Sequence, residues 1–190
     1  MAGASEPDET LMARYASGDM AAFDALYGRH ELKLWRFLQR SVRNRATADE
    51  LMQDVWFTVA REAARYRPTA RFTTWLFTLA HHRMIDAHRA ASARPAAVAA
   101  GEGLPQQLEQ LPDTGNPEPM QELESRDATR AILEAVERLP AEQREAFLMQ
   151  AEGGLSVQEI AAATGSSFET AKSRLRYARG KLQEWLRESV

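Results

Sequence analysis

The chain has no cysteine among its 190 residues. Disulfides, thiol catalysis and thiolate-ligated metals are thereby excluded together. No apolar run approaches the roughly 20 residues that a membrane-crossing helix requires. The acidic opening, MAGASEPDET, has neither the basic nor the apolar segment of a signal peptide. A soluble, cytoplasmic protein without membrane insertion is expected. Positive charge is not in excess either: 24 Lys and Arg stand against 27 Asp and Glu, for a net charge of -3. Coating nucleic acid unaided depends on neutralising phosphates and releasing counterions, so any such function here has to be local or assisted. Strand signals are almost absent, which points to an all-α protein.

What is present is sorted along the chain. Arg61 to Arg94 holds seven arginines against Glu62 and Asp86, whereas Gly101 to Glu124 has six acids and no base. The stretch from Pro95 to Glu124 also gathers most of the prolines and buries too little apolar surface to offset the entropy of ordering it. Two small helical domains joined by a flexible, acidic, Pro- and Gly-containing linker follow, with expected boundaries at 1–93, 94–125 and 126–190.

In the first domain, Phe23, Leu26, Tyr27, Leu34, Phe37 and Leu38 recur at helical spacing. Thr47-Ala-Asp-Glu50 reads as a capping box opening the next helix, which runs towards Tyr66. In the second, helices are expected over Ala128 to Leu139 and Pro140 to Gln150, and Ser156-Val-Gln-Glu159 and Ser166-Ser-Phe-Glu169 read as two more capping boxes. Ile160 and Ala161 ahead of Gly165, with a new helix starting at once, have helix-turn-helix spacing.

On that last helix Ala171, Leu175, Ala178, Leu182 and Trp185 form one apolar stripe. Glu169, Ser173, Arg176 and Tyr177 lie opposite, flanked by Lys172 and Arg179 on one side and Thr170, Arg174 and Lys181 on the other. Central side chains that reach base edges, with cations on both shoulders for the phosphate walls, suit a helix seated in a major groove. An ordinary solvated basic helix is the bland alternative.

Over Ala48 to Ala64 the buried half is Leu51, Met52, Val55, Trp56 and Val59, leaving Glu50, Gln53, Asp54, Phe57 and Arg61 outside. An aromatic in an acidic face suits a protein interface; alternatively Phe57 packs under residues 1–17. The stretch RFTTWLFTLAHHRMIDAHRA turns Leu76, Leu79, Ala80 and Ala87 inward. It turns Thr74, Thr78, His81, His82 and Arg89 outward, with Phe72, Trp75 and Phe77 near its start. Rings beside hydroxyls and cations match the surface that stacks on unstacked bases of a single strand, although packing also accounts for Trp75 and Phe77. His82 and Asp86 have i, i+4 spacing but no further ligand, so no metal or other cofactor is expected.

The segments ADELMQDVWFTVAREAARYRPTARFTTWLFTLAHHRMIDAHR and LPAEQREAFLMQAEGGLSVQEIAAATGSSFETAKSRLRYARGKL together resemble the two conserved regions of an extracytoplasmic-function sigma factor of the sigma-70 family. The resemblance implies that Glu50, Gln53, Asp54 and Phe57 dock on the β′ clamp helices of core RNA polymerase. It implies that the helix carrying Phe72, Thr74, Trp75, Thr78, His81, His82 and Arg89 captures the non-template strand of the minus-ten element, with a base flipped into a pocket at Thr78 and His82. His82 stands where many members have asparagine. Thr170, Lys172, Ser173, Arg174, Arg176, Tyr177 and Arg179 would read the duplex minus-thirty-five element, Arg174 and Arg179 mainly through phosphates. The implied role is stress-responsive promoter recognition and melting as a dissociable polymerase subunit, restrained by an anti-sigma factor. The rivals are a conventional helix-turn-helix regulator on duplex operator and an RNA-binding adaptor. No catalytic triad, phosphate-cradling glycine loop or adequate metal set recommends an enzyme.

Overall fold

The computed structural model describes the backbone of residues 6–93 and 119–188, and side chains over 6–92 and 128–187; the linker expected over 94–125 lies, as far as residue 118, outside the described residues. The described residues contain helices and no strand. The first domain comprises α1 (Asp8–Ala16), α2 (Met20–Val42), α3 (Arg45–Glu62) with a single 3-10 turn over Ala63–Arg65, and α4 (Phe72–Ala93). The second comprises α5 (Pro119–Arg138), α6 (Ala141–Ala151), α7 (Val157–Ala163) and α8 (Phe168–Glu188). Helix α5 begins ahead of Ala128, inside the stretch expected as linker, with proline at the first helical position, where its missing N–H costs nothing.

Two caps sit elsewhere than the sequence suggests. Helix α2 ends where Arg43 turns left-handed (φ 58), and Asn44, back in extended geometry, uses its side chain to accept from the Thr47 N–H at 3.0 Å. Thr47 is therefore the third residue of α3 and not its cap. At α8 the cap is Ser167, which accepts from the Thr170 N–H at 3.1 Å, while the Ser166 hydroxyl pairs with Thr164. The Ser156–Glu159 capping box is present in both directions. Between α7 and α8, Gly165 has φ 61, and the N–H groups of Ser166 and Gly165 return to the carbonyls of Ala161 and Ala162. That double bond is a Schellman termination, which needs a residue without Cβ strain at this point.

Leu26, Leu34, Phe37, Leu38, Val55, Val59, Leu76 and Phe77 form the first core, with the Phe37 and Phe77 rings 5.0 Å apart. Helix α1 is tied down by polar links: Asp8 accepts from Arg29 at 2.7 Å and pairs with His30 at 2.7 Å. Glu9 accepts the Phe72 N–H at 2.7 Å, satisfying one orphan donor at the start of α4.

The two domains pack against each other, α6 on α2 and α7 on α4. Buried Arg144 of α6 donates to the Leu139 carbonyl and, across the seam, to that of Ser41, one of the orphan carbonyls ending α2. Arg40 meets Glu152 at 2.5 Å, and His81 meets Glu145 at 2.5 Å. The Arg71 guanidinium grips both oxygens of Glu159, at 2.9 and 2.7 Å, and the Thr74 hydroxyl donates to the same carboxylate at 2.6 Å. These bonds, chiefly that from Arg71 and then those from Thr74 and the Ser156 N–H, hold Glu159 well below the usual carboxylate range against the opposing effect of partial burial.

Two outcomes follow from these caps and links. Asn44→Ala costs about 1 kcal/mol in urea denaturation, whereas Thr47→Ala costs less than about 0.5 kcal/mol; equal losses contradict the assignment. Glu159, with a lowered pKa, stabilises fully above its ordinary value of 4.5, and that contribution disappears as pH falls through the lowered value. The stability difference between the parent chain and Glu159→Gln should narrow between about pH 6 and about pH 3.

Candidate nucleic-acid interface

Three surfaces carry the residues singled out by pattern. On α3, Leu51, Val55 and Val59 face the core, and the helical repeat turns Glu50, Gln53, Asp54 and Phe57 to solvent. Phe57 is 72% exposed, so α1 does not cover it. A phenyl ring bared this far gains nothing from the fold itself and is available to a protein partner.

Helix α4 is more divided. Phe72 is fully buried among His30, Tyr66 and Trp75, and Phe77 is fully buried against Phe37, so neither ring is open to a base. Phe72 is thus a packing residue in this conformation. Trp75 is half-buried, edge-on to Tyr66 at 5.0 Å, and keeps part of its surface open. Burial pushes the Tyr66 hydroxyl up to about 12, so the ring beneath Trp75 is a neutral one.

Thr74 and His81 do face away from their own core, as the periodicity predicts, but α6 and α7 cover them and both are buried. Their partners there are Glu159 and Glu145. Thr78 is half-buried, its hydroxyl donating to the Thr74 carbonyl at 2.7 Å. His82 and Arg89 are exposed. The site residues of α4 therefore fall into three groups: Phe72 in the core, Thr74 and His81 in the seam, and Trp75, Thr78, His82 and Arg89 wholly or partly accessible.

Helix α8 has the layout expected of it. Ala171, Leu175, Ala178 and Leu182 are buried, and Trp185 is half-buried under the Arg138 guanidinium at 4.3 Å. Thr170, Lys172, Arg176, Tyr177 and Arg179 are exposed, with Ser173 and Arg174 half-buried. The Arg176 guanidinium lies over the Tyr177 ring at 4.9 Å, which orients both groups outward. Helix α6 braces two of the cations: Glu142 takes Arg174 at 2.6 Å, and Gln150 accepts from Arg179. Lys172 lies 3.8 Å from Glu169 and over the exposed Phe168 ring.

Pattern reading missed Arg71, Glu142, Glu145 and Gln150, and saw in Glu159 only a helix cap. Each owes its role to a partner on another helix; Arg71 and Glu159 are 88 positions apart. Arg83 was missed as well: it donates to the Thr58 hydroxyl at 3.0 Å, and that hydroxyl donates to the Asp54 carbonyl. This polar link connects the exposed acidic face of α3 to α4. No helix among the described residues is long and apolar enough to cross a membrane.

Comparison with known proteins accounts for both halves of this arrangement. Residues 26–94 match Sigma-70 region 2, and residues 129–182 match Sigma-70, region 4. The chain is 33% identical over 188 residues to the RNA polymerase sigma factor CarQ of Myxococcus xanthus, covering 93% of this chain and 96% of that protein. It is 31% identical over 180 residues to the ECF RNA polymerase sigma factor SigM of Mycobacterium tuberculosis, covering 94% and 84% respectively. Its fold is also that of the sigma factor RpoE crystallised with the anti-sigma factor NepR from Bartonella quintana, with a TM-score of 0.61 at 22% identity over 87% of this chain and 96% of that one. The two regions, in this order and over nearly the whole chain, show that the protein belongs to the extracytoplasmic-function sigma factors of the sigma-70 family.

Proposed function

We infer that this sigma factor directs core RNA polymerase to its promoters through three surfaces on one chain. Glu50, Gln53, Asp54 and Phe57 dock on the β′ clamp helices. Trp75, Thr78, His82 and Arg89, joined by Thr74 and His81 once these are uncovered, hold the minus-ten strand. Thr170, Lys172, Ser173, Arg174, Arg176, Tyr177 and Arg179 read the minus-thirty-five duplex. The observation that carries this reading is the combination of an exposed Phe57 in an acidic face with an outward basic face on α8. A conventional regulator acting on duplex operator alone has no use for the first. The protein performs no covalent chemistry and works in the cytoplasm beside its polymerase. Its inhibitory partner is an anti-sigma factor, the class of protein bound to its structural relative RpoE.

The mechanism follows from the charge and packing of these surfaces. Each DNA-binding face is small in a chain of net charge -3, so neither binds firmly alone. Polymerase holds both at once and turns two weak contacts into one strong one through effective concentration. Extruding a base costs a few kcal/mol, which stacking and pocket contacts on α4 offset. The residues between Ala93 and Pro119, at about 3.3 Å each, could reach up to roughly 80 Å, more than two duplex turns of about 34 Å each.

In vitro transcription with core polymerase over a randomised promoter library tests the reading and yields both elements. Phe57→Ala should weaken core binding by about 2 kcal/mol, close to 30-fold. Arg176→Ala should relax preference at one duplex position by about 1–3 kcal/mol, whereas Arg179→Ala should weaken all sequences alike and lower the salt slope by about 1. Unchanged initiation after combining His82→Ala with Arg176→Ala is incompatible with these roles.

A further inference from the structure

Glu169 is the one acid from Phe168 to Lys181 on α8, a stretch with five cations. With Ser167 as the cap, Glu169 is the second residue of the helix, and the N–H that the cap accepts belongs to Thr170. A capping box needs its acid at the third residue, so this carboxylate is left out of one. Its side chain is 76% exposed, and the Lys172 ammonium at 3.8 Å is beyond hydrogen-bond range. Exposed pairs of that kind are individually weak. Ser173 lies about one turn further along and Arg176 about two, so Glu169 stands on the outward line of the helix and not on a shoulder. Together with Ser173 and Tyr177 it opens onto one hollow of the surface.

On a face that meets phosphates, a negative group weakens binding unless a donor on the nucleic acid offsets it. The base donors in the major groove are the exocyclic amino groups of cytosine and adenine. Adenine sets the lone pair of N7 beside its amino group and so repels a carboxylate, whereas the neighbour on cytosine is a C–H. In a helix-turn-helix, the N-terminal part of the second helix is what reaches base edges. We propose that Glu169 is a specificity residue of the minus-thirty-five contact, its carboxylate accepting a hydrogen bond from the N4 amino group of one cytosine. This rests on the assignment of α8 to duplex DNA. Seven residues at about 1.5 Å each separate Glu169 from Arg176 by roughly 10 Å along the helix, or about three base-pair steps of about 3.4 Å, so the two address different base pairs. Where the cytosine is absent, the carboxylate loses water without gaining a donor, and that penalty supplies the discrimination. An acid in a first helical turn is also favoured by the helix dipole, a role indifferent to base sequence.

The two roles separate when the parent chain, Glu169→Ala and Glu169→Gln, each with core polymerase, transcribe a library randomised across the duplex element. The parent should require cytosine at one position. Glu169→Ala should lower that preference by at least about fivefold, and should initiate better than the parent from templates that lack the cytosine. Glu169→Gln, whose amide both donates and accepts, should move the preference to adenine. The preference set by Arg176 should stay as it is in both variants. Because each preference is a ratio between templates read by one protein, partial misfolding of a variant does not alter it. Equal loss from every template with the element unchanged marks a helix-end role and overturns the proposal, as does a parent element with no required cytosine; the sigma-factor reading survives either result. Absence of promoter-directed initiation by the parent chain removes that reading, and this assignment with it.

Discussion

The carboxylate of Glu159 stands at the point where local helix formation meets long-range assembly. One of its oxygens takes the Ser156 N–H at 2.8 Å and thereby completes the cap of α7, the helix packed against α8. Both oxygens also reach across to the start of α4, where Thr74 and Arg71, just ahead of the helix, complete their coordination. The same group therefore helps to start the helix-turn-helix and ties it to the first domain. A carboxylate accepting several donors is held in its charged form, so this junction persists throughout the neutral pH range.

The arrangement of the remaining charges follows the same economy. Acids on α6 brace the cations of α8 and pair with α4: Glu142 holds Arg174, and Glu145 holds His81. Helix α6 thus links α4 and α8 through its carboxylates. Its buried Arg144 closes the end of α2, and burial pushes that guanidinium down from its usual value. A net acidic chain can in this way carry two local basic surfaces, because much of its negative charge is committed to positioning cations. Long-range attraction to DNA is correspondingly small, consistent with a factor that finds promoters as part of a larger machine.

Helix periodicity made most of the fold legible, since the apolar stripes of α2, α3 and α8 each name one buried face. The helix-turn-helix was legible for a further reason: Gly165 and the Ser156 box are local signals with local causes. Capping at α3 was less so, because Asn44 and Thr47 both favour caps and only the left-handed turn at Arg43 decides between them. The burial of Thr74 and His81 could not be read at all. A helical wheel assigns each residue a direction relative to its own helix, and which neighbour lies in that direction depends on the approach of a second domain. Phe72 illustrates the reverse: a ring at a helix start suits stacking on bases or on its own core, and Glu9 binding its backbone N–H, with His30 and Tyr66 around the ring, settles it as core.

The composition of the seam bears on whether it can open. Phe77 lies against the loop at Gly153 within an apolar core that runs through both domains, and Arg40, Arg71, Thr74 and His81 meet carboxylates along the same seam. The more exposed pair of Arg71 with Glu159 is individually weak, whereas Thr74 and His81 are buried, and loss of either one's partner would leave a buried polar group unpaired. Baring one face of Phe77 costs at most the roughly 1.5–3 kcal/mol of a whole buried side chain, because its contact with Phe37 lies within the first domain and survives. Arg144 loses its bond to Ser41 but retains the Leu139 and Glu137 carbonyls of its own domain. The seam is therefore held by apolar packing as well as by polar bonds, and each domain supports the other across it.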